Sequence, residues 1–210
     1  MQINSSREEI LQRIAAAPKR RPVFVDSIST TAIYKPIEPD AVSCFKNELE
    51  TISGQCILCE NETDLYQQLK SFVHDRSLPA IFCRDSYIFQ QLKKFEIPCT
   101  NEADQFIDMQ AGITGCEFLI ARTGSVLASS ASDSGRQMNV FPPIHIVLAH
   151  VSQLVHYPED ALVVLQEKYG DSMPSTVSTI TGPSRTADIE KTLVLGAHGP
   201  KEFIVFLSKV

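Results

Sequence analysis

The sequence predicts an α/β fold built around a largely parallel β-sheet. The first observation is that helical and strand patterns alternate between residues 39 and 100. This alternation is typical of parallel sheets that are covered by helices. The second observation is the composition, since 43% of the 210 residues are hydrophobic and 21% are charged. These values are ordinary for a globular chain with a buried core.

Three helices in this segment are predicted by apolar residues that recur every three or four positions. Gly54 is a typical stop after the first helix, and Asn61 is a typical N-cap for the second. The helical stripes are Val42, Phe45, Leu49 and Ile52, then Leu65, Leu69 and Phe72, then Tyr87, Phe89, Leu92 and Phe95. The intervening strands are predicted at residues 55–59, 79–83 and 97–100, the last at a sheet edge.

The N-terminal part of the chain is predicted to be separate from this alternation. Overlapping Ser-x-x-Glu capping boxes at Ser5 and Ser6 predict a short helix that ends before Pro18. The prolines, basic residues and β-branched residues that follow predict an extended arm. We therefore divide the chain into a helix and arm, residues 1–38, and one α/β domain, residues 39–210.

The second half of the chain is richer in predicted strands. They fall at residues 117–121, 125–128, 144–148, 176–181, 192–195 and 203–207. Pro158 opens a helix that runs through Leu165. Ser129 to Gly135 forms a polar loop of small residues, which is long enough to be a mobile functional loop.

The charge balance restricts the classes of function. Nineteen Lys and Arg residues against 25 Asp and Glu residues give a net charge of −6. An acidic chain is poorly suited to nucleic acid, because phosphate neutralisation needs a basic face. The N-terminus does not read as a secretory signal, and the least charged stretch, residues 137–158, contains three prolines. We therefore expect a cytoplasmic protein without a membrane span.

The six cysteines are then expected to be reduced thiols. Cys56 and Cys59 form the one CxxC pair, but they fall in a predicted strand, where positions three apart point to opposite faces. Core packing is therefore favoured over a metal or redox site. The histidines show no metal-ligand spacing, so we expect no metal and no cofactor on this chain.

The densest polar segment runs from Thr181 to Glu190, directly after a predicted strand. If Ser184 caps a helical turn, the backbone N–H groups after it form an anion site. Arg185 would add a guanidinium fork that fits a carboxylate or a phosphate, and Asp188 would orient it. The alternative is a capped turn with a surface pair between Arg185 and Asp188.

A second polar turn contains His198, which lies between two glycines at a strand end. An exposed imidazole there can transfer a proton near neutral pH, whereas the alternative is a turn residue that bonds to the backbone. Arg122 and Arg136 are further candidate anion contacts, although each can instead pair with a surface acid. A Ser–His–acid triad stays open, but the sequence has no GxSxG elbow.

Two C-terminal motifs are highly specific at their separation, namely GPSRTADIE at residues 182–190 and GAHGP at residues 196–200. Through them the chain closely resembles the lactate-utilisation protein C family, which carries the LUD domain. The resemblance also covers Thr123-Gly124-Ser125, Arg136 and the Pro143-x-His145-Ile146 step. It extends from about residue 40 to the C-terminus.

The resemblance implies a three-layer α/β sandwich similar to the NagB/RpiA/CoA-transferase-like superfamily. It also implies a role in oxidation of L-lactate to pyruvate with iron–sulfur partner proteins, which would carry the clusters. In this interpretation the chain binds a small anionic or nucleotide-like ligand. The candidate ligand-binding residues are Thr123, Gly124, Ser125, Arg136, His145, Gly182, Ser184, Arg185, Thr186, Asp188, His198 and Gly199.

The chain departs from the family pattern at one informative position. Many members carry an acid just before Thr-Gly-Ser, where this chain has Arg122, and this disfavours a covalent carboxylate mechanism. Two alternatives stay open, a non-catalytic assembly or regulatory subunit, and a transferase or hydrolase acting on a phosphorylated or CoA-linked substrate. In the second case Glu117 is the carboxylate most suited to a raised pKa, because it lies on an apolar strand. The catalytic candidates are His198, Asp188 and Glu117, and both enzymatic activity and oligomeric state stay open.

Overall fold

The computed structural model describes residues 6–17, 35–186, 194–195 and 198–209. The chain divides into two units, Met1–Lys35 and Pro36–Val210. In the first unit the predicted helix is present, and its apolar side chains Ile10, Leu11 and Ile14 are exposed. The predicted extended arm falls mainly on residues 18–34, which lie outside the described residues.

The helices and strands follow the predicted order closely. The helices are α1 (Ser6–Ala16), α2 (Ala41–Thr51), α3 (Glu62–Asp75), α4 (Ser86–Lys94) and α5 (Pro158–Tyr169). The strands are β1 (Gln55–Cys59), β2 (Ile81–Cys83), β3 (Cys99–Thr100), β4 (Ala111–Thr114), β5 (Phe118–Ile120), β6 (Ser125–Ser129), β7 (Ile144–His150), β8 (Leu154–Val155), β9 (Val177–Ile180), β10 (Arg185–Thr186), β11 (Val194–Leu195) and β12 (Glu202–Ser208). The sequence pattern did not predict β4, β8 or β10.

The centre of the second unit is a six-stranded sheet in the order β1-β12-β7-β4-β2-β3. Each pairing in this sheet is parallel. A second, four-stranded sheet has the order β8-β5-β6-β9 and contains antiparallel pairs. The chain is therefore an α/β protein with a parallel central sheet in a three-layer sandwich, which confirms the predicted fold class.

The two faces of the central sheet bury two different clusters of apolar side chains. On one face, Ile146 of β7 and Phe206 of β12 pack with residues of α3 and α4. On the other face, Val147, Phe203 and Val205 pack with residues of α2 and the second sheet. Because both faces are covered, these strands read as continuous apolar runs rather than as alternating patterns.

The CxxC pair follows the same geometry. Cys56 belongs to the cluster on the α2 face, and Cys59 belongs to the cluster on the face of α3 and α4. The two thiols therefore lie on opposite faces of β1, as predicted, and both pack in the core. Among the residues that the structure describes, no helix combines the length and the hydropathy needed to cross a membrane.

At one place in the central sheet, the connections that follow two neighbouring strands leave toward opposite faces. β1 leads into α3 and β2 leads into α4, on one face, whereas β4 leads into β5 of the second sheet, on the other face. Since β2 and β4 are neighbours, their connections diverge and open a crevice at the carboxyl edge, the side where the parallel strands end. In α/β sheets this switch point is where ligands bind.

A pair of glycine substitutions tests how closely α2 packs on the second sheet. Gly124 has φ +58°, and a Cβ there would overlap the backbone of Glu48 and Leu49 in α2. Gly170 has φ +52° but no atom within 4 Å of its Cβ position. We expect Gly124→Ala to lower the free energy of unfolding by about 1–3 kcal/mol more than Gly170→Ala, since only the former adds a steric clash to the backbone strain. Urea denaturation of the full chain measures this difference, and equal losses would contradict the packing described.

Candidate functional site

The two C-terminal motifs meet at the amino edge of the central sheet, where the parallel strands begin. The Ser184 backbone N–H donates to the Pro200 carbonyl at 2.9 Å. A Cβ on Gly199 would lie 2.8 Å from the Ser184 Cβ, so a larger residue would not fit there without movement. Because Pro200 lies just before β12, this contact lies opposite the edge where ligands bind in parallel sheets.

Arg185 holds this turn against the end of α2. Its guanidinium donates to the Ile52 carbonyl and, at 3.1 Å, to Ser53 Oγ. A cation at a helix C-terminus is favourable because it meets the unpaired carbonyl groups there. The expectation of a helical turn at Ser184 is wrong, because Arg185 begins β10, which pairs with β11. The short strand forms because its backbone groups pair across to Val194 and Leu195.

The other predicted residues of these motifs are only partly described. Thr186 pairs with Val194 in the two-stranded sheet, and His198 is exposed. Gly182 has φ +79° and lies against the Ile52 carbonyl, where a Cβ would come within 3.0 Å. Asp188 lies outside the described residues.

The Thr123-Gly124-Ser125 turn also packs against α2. Ser125 Oγ lies 2.9 Å from Thr181 Oγ1, which links this turn to the start of the C-terminal motif. The Thr123 hydroxyl is buried and finds no hydrogen-bond partner among the described residues. Arg122 forms an ion pair with Glu48 of α2, so it follows the alternative of pairing with an acid.

His145 and Arg136 make other contacts. His145 is fully buried on β7, its Nε2 lies 2.9 Å from Thr114 Oγ1, and its ring meets the Phe203 ring edge-on. Burial lowers the pKa of His145 to about 3, so the imidazole is neutral at neutral pH. The Arg136 guanidinium donates to Thr176 Oγ1 at 3.4 Å.

Glu117 is the centre of a polar network between β5, β6 and α5. Ser129 Oγ donates to Oε1 at 2.5 Å, Tyr169 Oη donates to Oε1 at 2.8 Å, and Lys168 Nζ donates to Oε2 at 2.7 Å. Burial works to raise the pKa of Glu117, but these bonds and the Lys168 charge outweigh it, so the pKa lies below the usual value. The expectation of a raised pKa is therefore wrong, because the carboxylate has three donors.

A well-formed cavity with a volume of about 450 Å³ lies at the carboxyl edge. It is bounded by the ends of β7 and β12 and by the N-termini of α3 and α4. Its apolar wall consists of Leu65, Ile88, Leu148 and Ala149. Its polar groups belong to Glu62, Tyr66, Asp85, Tyr87, His150, Gln153 and Ser208. We call it the edge cavity.

A smaller cavity of about 250 Å³ shares Asp85 with the edge cavity and reaches Glu117 and Lys168. Gln153 lines the edge cavity, and its Nε2 donates to the carbonyl of Cys116, which lines the smaller one. Both cavities therefore lie at the carboxyl edge and share Asp85, which follows β2 at the switch point. Among the described residues, no group of three or more His, Cys, Asp or Glu could hold a metal ion.

The residues of the edge cavity were missed by the sequence analysis. Asp85 follows β2, His150 ends β7 and Ser208 ends β12, so each lies at the carboxyl end of a parallel strand. Polar residues at such ends were a usable signal. Recognising them required knowing that the strands of the second half pair in parallel with those of the first.

The fold and this edge crevice define a class of parallel α/β proteins with a ligand crevice at a switch point. Within that class, the family model of the LUD domain matches residues 42–208, and the chain belongs to this family. A solved DUF162 family protein from Deinococcus radiodurans has a similar fold, with a TM-score of 0.60 at 15% identity. The similarity covers 80% of this chain and 96% of that chain.

Curated relatives match in sequence as well. Lactate utilization protein C of Bacillus velezensis is 35% identical over 194 residues, which cover 80% of each chain. An uncharacterized protein of Neisseria meningitidis is 37% identical over 107 residues, 50% of this chain and 45% of its own length. Lactate utilization protein C of Bacillus licheniformis is 37% identical over 91 residues, 42% of this chain and 38% of that protein. The matches thus span less than half the length of these last two relatives.

The Glu117 network makes a pH-dependent prediction. We expect Glu117→Gln to lower the free energy of unfolding by about 2 kcal/mol at pH 7, since it removes a hydrogen-bonded charge. Because the pKa of Glu117 is lower in the folded chain than in the unfolded chain, this stabilisation is complete above the unfolded pKa and is lost as pH falls through the folded pKa. The difference in free energy of unfolding between Glu117→Gln and the wild type should therefore become smaller as the pH falls.

The matched control is Glu60→Gln, which removes an exposed carboxylate paired with Lys209 at 2.6 Å. Exposed pairs contribute little, so we expect a change within about 0.5 kcal/mol. Chemical denaturation from pH 7 down to pH 3 measures both variants. A Glu117→Gln effect that is equal to the control, or that does not change with pH, would contradict the network.

Proposed function

We propose that this chain takes part in lactate utilisation, as a component of the oxidation of L-lactate to pyruvate. The observation that carries the proposal is the match to lactate utilization protein C of Bacillus velezensis over 80% of both chains. The family model, which matches residues 42–208, spans the central sheet and both of its edges. The match to the Bacillus velezensis protein supports a shared role more strongly than the shorter matches do.

The oxidation itself removes two electrons and two protons from lactate; the protons can pass to water, but the electrons need an acceptor. We propose iron–sulfur partner proteins as this acceptor. The thiols of this chain support that placement, because iron binds the thiolate form. Burial raises the pKa of Cys56, Cys59 and Cys83 to about 12, which keeps these three thiols protonated.

The edge cavity is the ligand site in this proposal. Its volume falls within the usual range of small-molecule pockets, about 300–1,000 Å³, so it can hold a ligand larger than lactate. Glu62 Oε1 accepts from Tyr87 Oη at 2.8 Å, and Asp85 Oδ1 accepts from the Ile88 N–H at 2.9 Å. Each carboxylate keeps a second oxygen that can accept from a ligand hydroxyl. An apolar wall beside hydroxyl acceptors suits a nucleotide-like ligand.

The alternative of a carboxylate nucleophile is less well supported. The candidate Glu117 lines the smaller cavity, but its oxygens already accept from Ser129, Lys168 and Tyr169. A carboxylate nucleophile loses reactivity when its charge is held by three donors. Its contacts are those of a structural anchor that fastens α5 to β5 and β6.

Growth on lactate tests the proposed function. We expect deletion of the gene in its own organism to prevent growth on L-lactate and to leave growth on pyruvate unchanged, with full rescue by the wild-type chain. Normal growth of the deletion strain on L-lactate would contradict the role.

The same strain tests the edge cavity. Rescue with Glu62→Gln should give slower growth on L-lactate at equal protein level, because the amide is a weaker acceptor for a ligand hydroxyl. Rescue with Glu60→Gln, outside the cavity and two residues earlier, should match the wild type. Full rescue by both variants would remove Glu62 from the ligand site.

A further inference from the structure

Arg84 lies at the carboxyl edge of the central sheet. It follows β2 directly and precedes Asp85, which lines both cavities. Its Cζ lies 4.6 Å from the centre of the Phe106 ring and 5.9 Å from that of Phe82. Among the described residues it has no hydrogen-bond or ion-pair partner. Stacking on two rings holds the guanidinium in place and leaves its N–H groups available.

The acid next to it does not neutralise this charge. Asp85 is the N-cap of α4, and its Oδ1 accepts from the Ile88 N–H at 2.9 Å. Arg76 gives the useful contrast. It also stacks on an aromatic ring, at 4.9 Å from the Phe72 centre, but it forms an ion pair with Glu202 at 2.5 Å.

The loop that carries the buried Ser134 hydroxyl passes close to the Arg84 guanidinium. Arg84 Nη1 lies 3.9 Å from the position that a Cβ on Gly135 would take. The preceding residue, Ser134, is 1% exposed, and its hydroxyl has no hydrogen-bond partner within the part of the chain that the structure describes. A buried hydroxyl without a partner is costly, and it is free to donate to a bound group. Gly135, at φ +66°, lets the loop turn at this point.

We propose that Arg84 and Ser134 bind a small oxyanion at the mouth of the carboxyl-edge crevice, namely the carboxylate of a 2-hydroxy or 2-oxo acid. The planar fork of a guanidinium matches the two oxygens of a carboxylate, and the Ser134 hydroxyl donates a further bond. The choice of acid rests on the proposed function, whereas the oxyanion site rests on the geometry alone. The site also gives the loop from Ser129 to Gly135 a role in binding.

The experiment is a set of calorimetric titrations of the full chain with L-lactate, pyruvate and inorganic phosphate. We expect both acids to bind the wild type. Arg84→Gln should lower their affinity by about tenfold or more, whereas Arg76→Gln should leave the affinity unchanged. Both arginines stack on a ring, so the comparison separates the effect of an unpaired guanidinium from the effect of the stacking. Because Arg84 is exposed, its substitution should leave the thermal midpoint within a few degrees of the wild type.

A second variant tests the hydroxyl. Ser134→Ala should lower the affinity for both acids severalfold. It should not lower the stability of the fold, since it removes a buried group that has no partner among the described residues. Unchanged affinity would remove Ser134 from the site. Binding of phosphate alone, lost in Arg84→Gln, would support the oxyanion site and overturn the choice of acid. No binding of any anion, or equal effects of Arg84→Gln and Arg76→Gln, would overturn the proposal even if the deletion strain fails to grow on L-lactate.

Discussion

The pairing of β12 with β1 on one side and β7 on the other is the constraint on which the rest of the structure depends. β12 thus lies second from one edge of the central sheet, between its first strand and a strand from the second half. Phe203 and Val205 of β12 pack toward α2, while Ile204 and Phe206 pack toward α3 and α4. Both outer layers are therefore positioned by one strand, and neither covers a complete core without it.

This arrangement separates the polar residues of the chain into two groups with different tasks. At the amino edge, the turn with Ser184, Arg185 and Gly199 fastens β12 and the C-terminus of α2. At the carboxyl edge, the helices and the second sheet leave in opposite directions and open the crevice. The edge cavity opens there, and Arg84 follows β2 at the same edge, which is why we place binding at this edge.

Much of the fold could be predicted from local pattern, whereas the candidate site could not. Helical spacing located α2, α3 and α4, and apolar runs located β1, β7 and β12. The four residues of β4 were missed because Gly112 and Thr114 interrupt the apolar run, yet this strand is central and neighbours β2 and β7. The sequence predicted that the Arg185 guanidinium is available to a ligand. It could not show the bond to the Ile52 carbonyl, because that bond joins residues that are 133 positions apart. Glu117 was misjudged for the same reason, since two of its donors come from α5.

The most direct test of binding at the carboxyl edge is residue-level mapping by NMR during titration with L-lactate. We expect the largest changes in amide shift within residues 84–88 and 130–136, on the two sides of the Arg84 guanidinium, with smaller changes at residues 148–153 of the edge cavity. Changes confined to residues 182–186 and 198–200, with the carboxyl edge unaffected, would contradict this placement and would assign binding to the turn at the amino edge.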